Sequence, residues 1–412
     1  MRIWIMNHYA AHMRTDKGGR HYWFSKYLNR MGHEPVVFCS INKKDQRELW
    51  TEKIAEDINT PFVNVRVGGT RDGGFTRIIN MVSFYFNVKK AAKQYAKEHG
   101  KPDIILASSV HPLTLVAGLK LAKHFHVKCI CEMRDLWPEA IVSYSKKIKK
   151  GSLIANILYA GEKWIYTKAD ALIFTQEGGP DYIRSQGWDK EHGGPIDMSK
   201  AYHINNGVDL EAFDQNIKEH WLDDPDMDDP NTFKVVYAGA IRRINNLGLI
   251  VDAAKLIKIP NIRFVIFGAG DQLEPLKQRL VDENITNVVF KGRVNKQFIP
   301  SVDARADVNL VHWEMNPLLR VGESYNKAFE YFASGKPVFY TIRPGYSIVE
   351  KFHCGLLTEG FTPQDIANGI EKIAAMSDEE KQEMARNARK AAEYYDFKNH
   401  TKKLLEIIDA IK

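Results

Sequence analysis

The segment 320–327, with the sequence RVGESYNK, has the residue types of an anion-binding loop. Glycine lets the backbone approach a ligand closely, and the segment leads into a predicted helix, whose first N–H groups have no partner within the helix. Lys327 adds a positive charge, and Glu330, one turn further on, can accept hydrogen bonds from ribose hydroxyls. A capped helix alone does not require Gly322, Asn326 and Lys327 together. The pattern therefore favours an anion site beside a carboxylate.

A second candidate is a pair of arginines, Arg242 and Arg243, which follow Gly239 and a strand predicted over 235–237. Guanidinium groups at the end of a strand can hold a phosphate through bidentate, charge-assisted hydrogen bonds of about 1.5–3 kcal/mol each. The pair can also be a solvated part of the surface, so the sequence leaves both interpretations open.

A third candidate is the segment 132–139 (EMRDLWPE), in which four charged residues and a tryptophan accompany the end of a predicted buried strand. Each charge so close to apolar neighbours must be paired or hydrated. Such a density of charge is typical of functional loops, although Arg134 and Asp135 can also form a simple salt bridge.

Two glycine-containing loops follow predicted strands. Gly18 and Gly19 come after the strand predicted over 3–7 and precede a helix, which suits an anion at the helix N-terminus. A flexible loop before an ordinary helix is the alternative. The segment 267–270 (FGAG) resembles part of a dinucleotide fingerprint, but the third glycine position holds Leu273. We therefore interpret this segment as a tight turn.

Short apolar runs alternate with amphipathic helical patterns along the chain, which predicts parallel sheets with right-handed crossovers. The predicted strands span 3–7, 35–39, 104–108, 129–132 and 171–175 in the first half, and 233–237, 263–267, 287–290, 307–311 and 337–340 in the second. Because the pattern restarts in the second half, we predict an α/β protein with two doubly wound domains. In such sheets, ligands bind beyond the carboxyl ends of the strands, where the candidates above lie.

We predict a first domain over 1–203, a second domain over 204–393, and a C-terminal helix within 394–412 that packs back on the first domain. One face of this helix is apolar and must be buried. The acidic segment 223–230 (DDPDMDDP) is predicted to be a surface loop near the hinge, outside any core.

The composition is that of an ordinary globular protein. Hydrophobic residues make up 44% of the chain and charged residues 26%. At roughly 150 residues per domain, the length of 412 residues predicts two to three domains. The four cysteines include Cys129 and Cys131, but no second pair completes a zinc pattern, so we expect buried thiols in a reducing cytoplasm. Residues 1–200 contain 31 Lys and Arg against 20 Asp and Glu, and residues 201–412 contain 27 against 31. A basic first half suggests an anionic partner such as phosphate, nucleic acid or an acidic membrane.

In order and spacing, these motifs resemble family 4 of the glycosyltransferases, which are retaining enzymes with the two-domain GT-B fold. The resemblance covers nearly the whole chain and includes the Gly-Gly loop, RMGHE at 30–34, RDLWPE at 134–139, NNGVD at 205–209, YAG at 237–239, FGAG at 267–270 and NKAFEYFASGKP at 326–337. It implies two Rossmann-like domains that face a central cleft. The RDLWPE segment is similar to that of bacterial enzymes that build capsule, exopolysaccharide or O-antigen units.

The resemblance implies that a nucleotide-diphosphate sugar is the donor substrate and that no cofactor is needed. By analogy with the family, Glu330 would hold the ribose of the nucleotide. The loop before it, with Ser324, Asn326 and Lys327, would contact the donor sugar and the diphosphate.

The remaining donor-binding residues implied by the resemblance lie on other loops. Arg242 or Arg243 would neutralise the diphosphate leaving group, and Gly19 and Gly239 would allow close approach of the backbone. Such cations stabilise the charge that grows on the departing diphosphate, so the family needs no metal.

Two positions depart from the family pattern, which has two glutamates separated by seven residues. Gly322 stands where the first glutamate would be, and we expect Glu323 to serve through a one-residue adjustment of the loop. A histidine–aspartate pair of many members is replaced by Arg134 and Asp135, and His111 is the substitute by position, with a plain helix-cap histidine as the alternative. The candidate catalytic residues are thus Arg134, Asp135, Glu323 and His111.

The resemblance implies a glycan or lipid-linked acceptor at the cytoplasmic face of the membrane. The segment 75–86 (FTRIINMVSFYF) combines apolar residues with basic flanks, and Lys146, Lys147, Lys149 and Lys150 precede another apolar stretch. Amphipathic basic segments can lie on anionic lipid, although 75–86 can also be a helix buried between the domains. We therefore expect a cytoplasmic protein with peripheral membrane contact.

The resemblance thus implies a retaining, metal-independent hexosyltransferase. One alternative is a nucleotide-sugar epimerase of the same architecture, which needs no acceptor. Another is a non-catalytic scaffold that binds glycans or phosphate. A nucleic-acid partner is disfavoured because the basic residues do not alternate with stacking aromatics on one element.

Overall fold

The computed structural model describes residues 1–41, 48–71, 73–109, 111–144 and 148–412, without the side chain of residue 144. The chain divides into two compact units. The first consists of Met1–Asn205 and Phe397–Lys412, and the second of Asn206–Asp396. The divisions predicted after residues 203 and 393 lie two and three residues before these boundaries.

Within the described residues, the first unit contains a sheet of eight strands: β1 (Arg2–Met6), β2 (Glu34–Ile41), β3 (Trp50–Ala55), β4 (Thr60–Arg66), β5 (Ile104–Ser108), β6 (Lys128–Met133), β7 (Ala171–Phe174) and β8 (Ala201–His203). They are arranged in the order β3-β4-β2-β1-β5-β6-β7-β8, and each pair is parallel except β3 with β4. The five predicted strands are present, and their ends differ from the prediction by at most two residues.

The helices of the first unit are α1 (Ala11–Thr15), α2 (Arg20–Arg30), α3 (Gly74–His99), α4 (Pro112–Phe125), α5 (Glu139–Tyr144), α6 (Leu153–Lys168), α7 (Gly179–Ser185) and the C-terminal α17 (Phe397–Ile411). The central strands are apolar and buried on both faces, as parallel strands under helices must be. α17 packs against α2, where Leu404 and Ile408 are fully buried. The ring of Phe397 meets that of Phe24 edge to face at 5.7 Å. The apolar face of the last helix is thus buried in the first unit.

The second unit contains a parallel sheet whose described strands are β9 (Phe233–Ala238), β10 (Ile262–Phe267), β11 (Val288–Gly292), β12 (Val308–Val311), β13 (Val338–Tyr340) and β14 (Gly355–Leu357). Their order is β11-β10-β9-β12-β13-β14. The helices are α8 (Leu210–Glu219), α9 (Pro225–Asp228), α10 (Gly248–Leu256), α11 (Leu273–Asp282), α12 (Ile299–Asp303), α13 (Asn326–Ala333), α14 (Ile348–Phe352), α15 (Pro363–Ala374) and α16 (Asp378–Tyr394). Both units are therefore Rossmann-like α/β folds, as the sequence predicts.

The prediction that 223–230 lies outside any core is wrong. Part of the segment forms α9, and Met227 is buried in the core of the second unit. The side chain of Asp224 caps the helix by accepting from two of its backbone N–H groups. Lys291 on β11 neutralises the charge, with its Nζ 2.8 Å from Asp224 and 2.5 Å from Asp226. Ion pairing thus lets an acidic segment carry one apolar residue into the core.

The four cysteines, Cys39, Cys129, Cys131 and Cys354, are buried and form no disulfide. This agrees with the prediction of buried thiols.

Candidate active site

The strongest candidate lies at the carboxyl edge of the second sheet. β9, β12 and β13 are neighbours in this sheet, so the residues that follow them meet at one edge. α13 begins at Asn326, and the residue before it, Tyr325, provides no side-chain cap. The first N–H groups of a helix carry a partial positive charge that suits an anion.

Lys327 lies in the first turn of α13, and its Nζ is 3.9 Å from the ring centroid of Tyr237 on β9. This atom is shielded from solvent and has no hydrogen-bond partner among the described residues. Burial lowers the pKa of Lys327 to about 7, against the opposing effects of the Asp303 and Glu330 carboxyl groups. A buried amine without an acceptor is costly, and an anionic ligand would supply the missing acceptors.

The structure brings Gly239 and Lys327 together. A Cβ atom at position 239 would lie 2.5 Å from Nζ of Lys327 and 3.0 Å from the hydroxyl of Tyr237, so a larger residue would displace the amine. The glycines of the 267–270 segment allow this segment to pack closely against the loop that contains Gly239. A Cβ on Gly268 would lie 1.8 Å from the Gly239 carbonyl oxygen, which shows how closely the two loops pack.

Arg242 and Arg243 lie on the loop that follows Gly239, and both are exposed. The start of this loop is fixed to the 267–270 segment, because the amides of Gly239 and Ile241 donate to carbonyl groups there at 2.9 and 3.0 Å. The arginines are therefore presented to solvent from a loop whose first part is anchored.

Two carboxyl groups act on Lys327. Asp303, the last residue of α12, is fully buried, and neither of its carboxyl oxygens has a hydrogen-bond partner in the described part of the chain. Burial and the charge of Glu330 raise the pKa of Asp303 well above its usual value, and Lys327 opposes them. Glu330 is partly exposed, with the Nζ of Lys296 3.9 Å from its carboxylate. The sequence analysis identified Glu330 and missed Asp303.

The other predicted residues of this loop have different surroundings. Glu323 is buried, and its Oε1 accepts from the N–H of Ile348 at the start of α14, at 2.9 Å. Burial raises the pKa of Glu323 to about 7, against the opposing effects of Tyr340 and the Ile348 N–H. These contacts account for its position without a ligand. Ser324 is half-buried, and Asn326 is exposed at the first position of α13.

A buried ion pair organises the carboxyl edge of the first sheet. Arg20, at the start of α2, donates through Nε and Nη2 to Oε1 of Glu132 on β6, at 2.8 and 2.6 Å. Nε2 of His21 lies 3.3 Å from the other carboxylate oxygen, which also accepts from the Ser108 hydroxyl at 2.6 Å. Although burial opposes ionisation, Arg20 and His21 hold the pKa of Glu132 well below its usual value. This network satisfies its own charges.

His111 directly precedes α4, at the N-cap position, but its side chain makes no capping hydrogen bond. Its Nε2 lies 2.7 Å from Nδ1 of His8, which follows β1. Burial lowers the pKa of both imidazoles, so this pair is neutral near pH 7. The ring of His8 stacks on Phe84 with centroids 4.1 Å apart. The structure therefore joins His111 to a histidine that the sequence analysis did not identify.

The remaining candidates of the first unit lie at the same carboxyl edge. Arg134 follows β6, and its backbone N–H donates to the Ser109 hydroxyl at 3.4 Å, while Asp135 is exposed. Gly19 precedes α2 with a φ of 98°, a conformation that favours glycine.

The helices expected near lipid have exposed apolar faces. The exposed large apolar residues are Phe75 (74%), Ile78, Ile79, Val82 and Phe86 on α3, and Leu153 (76%), Ile154, Ile157 and Trp164 on α6. Lys149 and Lys150 are exposed, whereas Lys146 and Lys147 lie outside the described residues. No described helix is both long and apolar enough to cross a membrane.

The residues that sequence reasoning missed share one property. Asp303, His8 and His312, which directly follows β12, lie within or shortly after largely apolar stretches, where no local motif distinguishes them. The available signal was their location beyond the carboxyl end of a strand or at the end of a short helix.

Two family models match the chain, one in each half. "Glycosyl transferase 4-like domain" matches residues 20–193, and "Glycosyl transferases group 1" matches residues 225–391. The chain is also similar to TuaH of Bacillus subtilis (strain 168), a glycosyltransferase named for teichuronic acid biosynthesis. The identity is 24% over an alignment of 276 positions, and the match covers 64% of this chain and 63% of that protein. The chain thus spans less than two thirds of this relative's length.

Solved structures share the fold over the whole chain. Sucrose-phosphate synthase from Thermosynechococcus elongatus has a TM-score of 0.72 at 18% identity, covering 100% of this chain and 99% of its own. HepE of Anabaena in complex with UDP has a TM-score of 0.69 at 15% identity, with 100% of both chains covered. Trehalose 6-phosphate synthase from Burkholderia multivorans has a TM-score of 0.69 at 14% identity, and the match covers 99% of this chain and 98% of that protein. The matched models thus place a glycosyltransferase domain in each half of the chain, and the fold that the chain shares with the solved structures is of the GT-B type.

Proposed function

We propose that this chain is a retaining glycosyltransferase that moves a hexosyl group from a nucleoside diphosphate sugar to a glycan or lipid-linked acceptor. The observation that carries the proposal is the buried amine of Lys327, which has no acceptor within the described chain and lies beside Gly239 at a sheet edge. A diphosphate would supply acceptors there. HepE of Anabaena, which shares the fold, was also solved with UDP-glucose, which supports a nucleotide sugar as the donor.

The proposed chemistry is electrostatic. As the bond between the sugar and the diphosphate breaks, negative charge grows on the departing diphosphate. Lys327, the N–H groups at the start of α13, and the exposed guanidinium groups of Arg242 and Arg243 would stabilise this charge. Because Lys327 and the N–H groups of α13 are fixed before the reaction, they need little reorganisation. We propose that they act without a metal ion.

Glu330 is proposed to bind the ribose. It is one turn along α13 from Lys327, and its carboxylate is partly exposed, so it can accept from the two ribose hydroxyls. The retaining outcome follows from the resemblance to family 4, in which the new glycosidic bond has the configuration of the donor.

The acceptor is proposed to be presented at a membrane surface, for surface polysaccharide synthesis. α4 packs against both α3 and α6, so their exposed apolar stripes lie on one side of the first sheet. Basic residues such as Lys89, Lys90, Lys149 and Lys150 accompany these stripes. Apolar insertion with basic flanks is how amphipathic helices bind anionic lipid. The likeness to a relative named for teichuronic acid biosynthesis supports a product of this class.

A thermal-shift screen with UDP, GDP, ADP and CDP sugars tests donor binding. A ligand at a hundred times its dissociation constant stabilises by about 2.7 kcal/mol, which is readily measured. Glu330→Ala should remove the shift given by the best donor and leave the melting temperature of the free chain nearly unchanged. Glu383→Ala, an exposed change on α16, should retain the shift. Native donor affinity in Glu330→Ala would contradict the assignment.

Product analysis tests the reaction. With the donor and a mixture of lipid-linked saccharides as acceptors, NMR of the product should show the anomeric configuration of the donor. Addition of a chelator should not reduce the rate. Formation of an isomerised nucleotide sugar from the donor alone would indicate an epimerase instead.

Liposome flotation tests the membrane contact. Binding to anionic vesicles at low salt should weaken when Lys146, Lys147, Lys149 and Lys150 are changed to Gln, at about 1 kcal/mol per basic residue near the surface. Neutral vesicles serve as the control. Unchanged binding of the variant to anionic vesicles would count against this part of the proposal.

A further inference from the structure

His312 is a buried residue with no assigned role in the donor chemistry above. It directly follows β12, and it is 2% exposed. Its Nδ1 lies 2.6 Å from Oγ1 of Thr341, which follows the neighbouring strand β13. Its Nε2 lies 3.1 Å from the carbonyl oxygen of Asn246. His312 therefore links the sheet edge to the loop that follows β9.

The partners of His312 determine which nitrogen carries the proton. A carbonyl oxygen only accepts, so Nε2 donates to Asn246 and Nδ1 accepts from the Thr341 hydroxyl. Burial lowers the pKa of His312 to about 4, against the effect of the Asn246 carbonyl, and the Lys327 charge lowers it further. The ring is therefore neutral near pH 7 and acts as a directed hydrogen-bond donor.

The hydrogen bond to Asn246 fixes the far end of the arginine loop. The near end is held through the amides of Gly239 and Ile241. Asn246 has a φ of 46°, in the left-handed region, and ends a short 3-10 turn. Arg242 and Arg243 lie between these two anchors, and their side chains are exposed. Their guanidinium groups are thus carried by a loop that is fixed at both ends.

We propose that His312 is a positioning residue for the donor diphosphate, which holds Asn246 and thereby fixes the loop that presents Arg242 and Arg243. This inference rests on the proposed function, in which these arginines bind the diphosphate. Without the hydrogen bond from Nε2, the Asn246 carbonyl loses its contact with the sheet edge, and the far end of the loop is held less tightly. Binding must then restrict a more mobile loop, and the affinity falls.

The first experiment measures the affinity for UDP, or for GDP where it stabilises the chain more, by isothermal titration calorimetry. His312→Ala should weaken binding about tenfold, the upper range for one hydrogen bond. His312→Gln should recover most of the affinity, because its carboxamide can donate to the same carbonyl. Ile370→Ala, which removes a buried side chain of α15, is the control for general destabilisation and should bind almost normally.

The second experiment repeats the measurement in an Arg242→Ala/Arg243→Ala background. His312→Ala should have almost no further effect there, because it acts through the arginines. The same tenfold loss in both backgrounds, or normal affinity of His312→Ala in the native background, would overturn the inference and leave the proposed function intact. If removal of both arginines leaves the affinity unchanged, or if neither nucleotide binds the native chain, the proposed diphosphate site itself is wrong.

Discussion

The pKa of Lys327 predicts a specific pH dependence of donor binding. Burial lowers this pKa to about 7 in the free chain, and a bound diphosphate favours the charged amine and must raise it. Below pH 7, Lys327 is already charged, so the affinity for a nucleotide sugar should be nearly constant. Above pH 7, binding must take up one proton, so the affinity should fall as the pH rises.

The expected magnitude follows from proton linkage. Each pH unit above the free pKa costs up to a factor of ten, or about 1.36 kcal/mol. Between pH 7 and pH 9, the affinity should therefore fall by up to about 100-fold, or about 2.7 kcal/mol. The fall ends when the pH reaches the raised pKa of Lys327 in the complex.

Other titratable groups interact with Lys327, and one of them offers a second test. His312, whose pKa is lowered to about 4, stays neutral in this range. The carboxyl groups of Asp303 and Glu330 both support the charge of Lys327. Burial favours the protonated form of Asp303, so Asp303→Asn should leave the pH at which affinity begins to fall near 7. Loss of the pH dependence in Asp303→Asn would assign the titration to Asp303 instead.

The assay is calorimetric titration with the nucleotide sugar that gives the largest thermal shift, at pH 6, 7, 8 and 9 and constant ionic strength. Lys327→Met should bind weakly and with almost no pH dependence. Lys277→Met removes an exposed lysine on α11 and should keep the native slope. Equal affinity of the native chain from pH 6 to 9, or a native slope in Lys327→Met, would refute the reasoning.

Three further changes probe the structure. Gly239→Ala should weaken donor binding at least tenfold with little change in melting temperature, because its Cβ would lie 2.5 Å from Nζ of Lys327; normal calorimetric affinity would contradict this. Burial raises the pKa of Glu162 from 4.5 to about 8, so native stability should fall as the pH rises through that range. Between pH 5 and 9, the free energy of unfolding of Glu162→Gln should therefore rise by about 4 kcal/mol relative to that of the native chain, as measured by urea unfolding. An equal pH dependence of both proteins would exclude Glu162 as the cause. Leu404→Ala should cost about 2–5 kcal/mol in the same assay, whereas the exposed Glu406→Ala should cost under about 0.5 kcal/mol; equal losses would show that α17 is not part of the core.

The parallel strands were predictable because they are buried on both faces and are therefore nearly continuous apolar runs. The strand predicted over 104–108 has the same bounds in the structure. β3 and β4 were not predicted. β3 is an edge strand with a single buried residue, and its sequence WTEKIA resembles a polar loop. Its conformation depends on antiparallel pairing with β4, which the sequence does not display locally.

The candidate site was predictable where residue type alone indicates chemistry. Lys327 and Glu330 lie on α13 and the arginine pair lies in a loop, and both segments have an unusual composition. The role of Gly239 becomes specific only when the distance to Lys327 is known. Asp303 and His312 could not be found in this way, because their partners are far away in the sequence. His312, for example, meets Asn246 across 66 residues, and only the order of strands in the sheet brings them together.

The buried charges at the carboxyl edge of the second sheet are unfavourable in the free chain. This cost supports a role of the edge in binding. Lys327 and Asp303 are shielded groups for which the described residues offer no hydrogen-bond partner, and each such group costs free energy of folding. Their burial acts in opposite directions, because it raises the pKa of the acid and lowers that of the amine. Both groups are thus driven toward their neutral forms. An arriving diphosphate reverses this for the amine alone, because negative charge favours protonation of Lys327 and also keeps the proton on Asp303. The edge therefore gains positive charge when the anion binds, and the same arrangement that costs stability in the free chain gives selectivity for a phosphate-bearing ligand.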